Sequence, residues 1–183
     1  MTDQSWLNAF GADLNTGTNS ATIVAGNGTG NYIGGNVTAD ANQHIGDHGF
    51  GLFGGSTNVG SNSATVIAGN GVGNYIGGNV TADANQHVGD HGLGLFGGST
   101  NIGDNSATVV AGNGVGNYIG GNVTADANQH IGDHGFGLFG GSTNFGDNSA
   151  TVLAGNGVGN YIGGNVTADA NQHIGDHSFP IIF

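Results

Sequence analysis

The chain has 183 residues, no Lys, Arg or Cys, one Pro, 41 Gly and a formal charge of −12 at pH 7. With no guanidinium or ammonium side chain it cannot neutralise phosphates, which argues against nucleic acid or an anionic membrane surface as a partner. The same absence removes the usual anion clamps of enzymes, and without Cys there is neither a thiolate nucleophile nor a disulfide, so no catalytic residues are expected.

The first six residues form a stub outside any pattern. MTDQSW and the residues after it contain neither a positive segment nor an apolar run, so export by a cleaved N-terminal signal is not expected. From Leu7 onward the chain is a tandem repeat: AGNG begins at Ala25, Ala68, Ala111 and Ala154, each step being 43 residues. Residues 7–178 read as the repeat body, and 179–183 as an apolar segment that completes the last unit.

Within a unit, segments such as Ala64 to Ala68 and Gly73 to Ile76 are β-branched or aromatic and bounded by Gly, Asn and Ser, the signature of short strands joined by turns. Helix-forming residues are too few for a helical repeat. A weaker two-fold aligns Gly69-Asn70-Gly71 and Tyr75-Ile76-Gly77-Gly78 with Gly89-Asp90-His91 and Leu95-Phe96-Gly97-Gly98. Half-units of about 20 and 23 residues follow, and the predicted fold is an all-β solenoid of about eight to nine coils, two per repeat.

Stacked half-units would place Phe10, Ile33, Phe53, Ile76, Phe96, Ile119, Phe139, Ile162 and Ile182 in one apolar core column. They would also interleave Asn27, Asp47, Asn70, Asp90, Asn113, Asp133, Asn156 and Asp176, keeping like charges about 9.6 Å apart, two strand spacings. Thr16, Val59, Ile102 and Phe145 share a phase but differ too much in volume for a close-packed interior, so they are expected outside or at a loose rim.

Four copies of QH[IV]GDH supply His44 and His48, His87 and His91, His130 and His134, His173 and His177. His44, Asp47, His48, His87, Asp90 and His91 are the residues that a divalent transition metal would use. On an extended strand, however, paired His would lie about 13 Å apart, so stacked or solvated imidazoles are expected, titrating near their ordinary pKa of about 6.5. Gly77 to Asp83 and Gly97 to Asp104 look like the nonapeptides with which repeats-in-toxin solenoids bind Ca²⁺, but Gly is missing from the fourth position and Asp comes late. No cofactor is therefore expected, with Ca²⁺ as the alternative. Ice-binding solenoids carry flat arrays of regularly spaced Thr, whereas Thr22, Thr65, Thr108 and Thr151 recur only once per 43 residues.

Four near-identical Gly/Asn-rich units of paired β-arcs resemble, over residues 7–183, the bacterial extracellular fibre subunits of the curli type. The curlin pattern of Gln, Gly, Asn and Ala at fixed points is not matched. The resemblance implies a functional amyloid of a biofilm matrix or cell surface, located outside the cell. The partner is then another copy of the chain, docked head to tail through Trp6, Leu7, Phe10, Phe179, Ile181, Ile182 and Phe183 into a homopolymeric filament. A calcium-stabilised solenoid adhesin is the alternative function, followed by an ice-binding protein.

Overall fold

A computed structural model describes residues 13–53 and 55–178, so Trp6, Leu7, Phe10, Phe179, Ile181, Ile182 and Phe183 lie outside the described residues. Among the described residues every regular element is a strand, and the strands form five four-stranded sheets. All pairing is parallel and joins residues 43 apart: Ala21 lies beside Ala64, Ala64 beside Ala107 and Ala107 beside Ala150. The protein is a β-solenoid.

One repeat makes one coil, which corrects the count of two coils per repeat. Four coils stack, and the half-units face each other within each coil. Identity explains the choice, because stacking at 43 residues sets each Asn, Gln, His and Tyr on its own kind. Stacking half-units of 20 and 23 residues would instead force a mismatch of three residues at every second step.

The first coil shows the path. A long strand, Asp13–Ala25, leads through the two-residue strands Gly28–Thr29 and Tyr32–Ile33 into Val37–Ile45, then His48–Phe53 closes the circuit. The strand Val37–Ile45 packs against both Asp13–Ala25 and Ser56–Ala68, which places it half a step along the axis. We call the sheet containing Asp13–Ala25 the long face and that containing Val37–Ile45 the short face.

Alternation along these strands builds the core. Ala64, Val66 and Ala68 point inward from the long face and meet Val80, Ala82 and Ala84 of the short face, all fully buried. Small side chains suit this thin interior, where two sheets close tightly on each other. The predicted mixed column splits in two. Ile33, Ile76, Ile119 and Ile162 stack in one sheet, with Ile76 and Ile119 buried. Phe53, Phe96 and Phe139 stack in another, with centroids 5.0 and 5.1 Å apart, and are 43–63 % exposed. The Ile76 site has no depth for a ring, since its Cδ1 already lies 2.9 Å from where a Cβ on Gly69 would stand. Val59, Ile102 and Phe145 point outward from the long face, as their varied volumes require.

Polar side chains enter the core as ladders. Gln86 donates to Gln43 at 2.8 Å and Gln129 donates to Gln86 at 2.7 Å, while Asn58 donates to Asn101 at 2.8 Å. A Cβ on Gly103 would stand 2.8 Å from Gln86, Gln129 and Ile131, so glycine at this phase makes room for the glutamine ladder.

Candidate assembly edges and histidine array

Continuous ladders leave unfinished bonds at the outermost strands. Within the stack, Gly114 donates its amide to Asn156 O at 2.7 Å, Gly116 to Val158 O at 2.9 Å and Val123 to Asn165 O at 2.8 Å. Gly157, Gly159 and Val166 are the same positions one coil on, and no acceptor lies beyond them among the described residues. At the opposite end, Asn27, Thr29 and Asn36 hold the positions of Asn70, Val72 and Asn79, whose carbonyls accept the amides of Gly28, Gly30 and Val37. The donors at one end thus match the acceptors at the other position for position, with Thr29 standing where the inner coils have Val. Side chains repeat the pattern: Val123 and Ile131 are fully buried, but Val166 and Ile174 in the last short-face strand are 53 % and 44 % exposed.

Asn and Asp do not alternate in one ladder as expected. Asn27, Asn70, Asn113 and Asn156 form one, each Oδ1 accepting from the backbone N–H of the next. Asp47, Asp90, Asp133 and Asp176 form another, so carboxylates sit one coil apart rather than two. Hydrogen bonds offset this repulsion. Asp133 Oδ1 accepts from the Asp90 amide at 3.0 Å and from Asn101 Nδ2 at 2.9 Å, while Oδ2 accepts from Ser99 Oγ. At Asp176 burial pushes the carboxyl upward, but donation from Ser142, the Asp133 amide and Asn144 outweighs it and leaves the pKa below its ordinary value.

The histidines meet, contrary to the distance expected from an extended strand. Gly46 and its counterparts turn the chain at φ near +150°, a left-handed region that glycine enters readily, so His44 and His48 fold back to a centroid separation of 5.4 Å. Two parallel columns result, one of His44, His87, His130 and His173, the other of His48, His91, His134 and His177. Rings stack at 4.6–4.9 Å within the columns, and across them His87 Nε2 lies 3.0 Å from His91 Nε2 and His130 Nε2 lies 2.9 Å from His134 Nε2. The array borders a groove of about 620 Å³ lined by Asn42, Gln43, His44 and their counterparts.

Burial first, then the neighbouring imidazoles, lowers the pKa of His87 and of His130 to about 4. His44 and His134 shift in the same direction for the same reasons. These rings therefore do not titrate near the ordinary imidazole value. Sequence reasoning also missed a second acid column, Asp40, Asp83, Asp126 and Asp169, on the outer side of the short face. There burial, then Asp126 and Asp40, raises the Asp83 carboxyl. Its only sequence signal was recurrence every 43 residues, which becomes informative once a repeat equals a coil.

Asp83 and Asp104, from the two calcium-like segments, stand on different sheets. Among the described residues, the ligand groups that converge in threes are all histidines: His44, His48 and His91; His87, His130 and His134; His130, His173 and His177. Asp47 and Asp90 belong to none of these triads, and Asp90 instead accepts hydrogen bonds from Ser56 and Asn58. No protein family, curated protein or solved structure matches the chain. Its own geometry is the guide to its role.

The outer side of the long face corrects one further expectation. Thr22, Thr65, Thr108 and Thr151 are direct neighbours across strands, and Ser20, Ser63, Ser106 and Ser149 form a parallel column two residues away. One hydroxyl of each kind per coil is a dense array, not a sparse one.

Proposed function

We propose that the protein is a non-catalytic structural subunit that polymerises end to end, continuing its own ladders from chain to chain as an extracellular filament. The match of donors and acceptors at the two ends carries this reading. Gly157, Gly159 and Val166 of one copy would donate to Asn27, Thr29 and Asn36 of the next, in the register already used three times inside the chain. A head-to-tail contact of this kind does not close on itself and generates fibres. The extracellular placement rests on the resemblance to curli-type subunits.

Val166→Pro tests the contact selectively. Its amide bonds nothing within the described chain, so Pro removes a donor only from the junction. Electron microscopy should show long filaments for the parent and short or monomeric particles for the variant, with the same far-ultraviolet circular dichroism. Filaments of equal length in both, or a parent that stays a monodisperse monomer at high concentration, would refute end-to-end stacking.

The Ser and Thr columns favour a second reading, adsorption to ice through the long face. A thermal-hysteresis measurement decides it: unfaceted ice growth at the rate seen in buffer removes this reading.

A further inference from the structure

The geometry points to a transition-metal site repeated along the solenoid, in which each chain binds two divalent ions of the Cu(II), Ni(II) or Zn(II) kind, each through three imidazoles. The inference concerns a single chain and does not depend on end-to-end stacking. Within each triad the candidate ligand atoms lie within 4.8 Å of one another. Tetrahedral coordination with metal–nitrogen bonds of about 2.0–2.1 Å needs nitrogens about 3.3 Å apart, so rotations of the rings by a fraction of their width suffice. Within one triad His130 and His134 already stand at 2.9 Å.

Chemistry selects the class of ion. Three nitrogen donors without a thiolate or carboxylate disfavour Ca²⁺ and Mg²⁺, which require oxygen, and favour the later first-row metals, with Cu(II) strongest. His87 and His130, held to a pKa of about 4 by burial and by the other imidazoles, carry no proton that a metal must displace from a charged ring. Where an Nε2–H now donates to its neighbour, coordination through Nε2 moves that proton to Nδ1 of the same ring. His44, His87, His130 and His173 also line the groove, from which water or an outside ligand would complete the coordination. The formal charge of −12 draws cations towards the whole surface.

Stoichiometry follows from how the triads overlap. His130 belongs to two of the three, so only two can be filled together. Replacing His130 leaves one intact triad, whereas replacing His134 leaves two. The experiment is calorimetric titration of chelator-stripped monomer with Cu(II) in a non-coordinating buffer at neutral pH. The Val166→Pro protein serves as background if the parent polymerises. Electron paramagnetic resonance then counts the nitrogens on each copper. Two ions per chain with three nitrogens each are expected. His130→Gln should halve the count and His134→Gln should leave it at two, both proteins retaining the parent's circular dichroism. Equal stoichiometry in the two variants, copper spectra with oxygen ligands only, or Ca²⁺ competing on equal terms with Cu(II) would each overturn the assignment.

Discussion

Removing a rung from the core glutamine ladder should cost far more inside the stack than at its end, although the repeats are nearly identical in sequence. Gln86 sits between two partners, donating to Gln43 and accepting from Gln129, and it is only 4 % exposed. Gln86→Ala strands the Gln43 carbonyl and the Gln129 amide. At about 1–3 kcal/mol for each unsatisfied buried group, plus the void left by the side chain, the expected loss is about 3–5 kcal/mol. Gln172 ends the ladder on the exposed strand, and its removal strands only the Gln129 carbonyl. Water can reach that strand, so Gln172→Ala should cost about 1 kcal/mol or less. Urea unfolding of both variants in the Val166→Pro background, with matching slopes, measures the difference. In filaments the asymmetry should vanish, because Gln172 would then accept from Gln43 of the next copy. Equal losses in the monomer would show that the ladder contributes nothing beyond its individual side chains, and the reasoning would fail.

Acid should weaken the fold before the carboxylates respond. An unfolded chain takes up protons on His87 and His130 from about pH 6.5, whereas the folded one keeps them neutral down to about pH 4. The unfolded state binds more protons across that window, so stability is flat above it and falls as pH drops from 6.5 to 4. Because both rings are partly solvated, the expected loss is about 1–2 kcal/mol per ring. Melting temperatures across this range should show the slope, and a slope unchanged in the His87→Gln, His130→Gln double variant would refute its origin. The turn glycines offer a steric test. A Cβ on Gly89 would stand 2.0 Å from the Gly132 carbonyl, whereas the equivalent atom on Gly175 would meet nothing. Both positions have φ near +150°, so Gly175→Ala should cost the strain of about 1–3 kcal/mol, and Gly89→Ala should prevent folding of its coil. Similar melting curves for the two variants would contradict this placement.

The strand-and-turn character of each unit and the outward place of Ile102 and Phe145 were legible because both rest on local chemistry. The number of coils was not. Half-units aligned through Tyr75-Ile76-Gly77-Gly78 and Leu95-Phe96-Gly97-Gly98 present the same alternation, and alternation alone does not tell strands that stack from strands that face each other. That single ambiguity carried the other errors with it. It interleaved Phe with Ile and Asp with Asn, and it made the Thr22 column look half as dense as it is. The histidine array was hidden for another reason: the separation of His44 from His48 depends on the turn at Gly46, whose angle no spacing of side chains encodes.

Coils that touch only their neighbours also determine how the molecule would respond to force. Pulled from its ends along the axis, a solenoid peels rather than shears, since each coil is held to the next by one layer of parallel bonds. Every coil released would free 43 residues, a contour length of about 150 Å at about 3.4 Å per residue. Successive ruptures would then be almost equal in length and similar in height. Such a fibre would dissipate work in repeated equal increments under load, and the part of the rod not yet peeled would keep its structure.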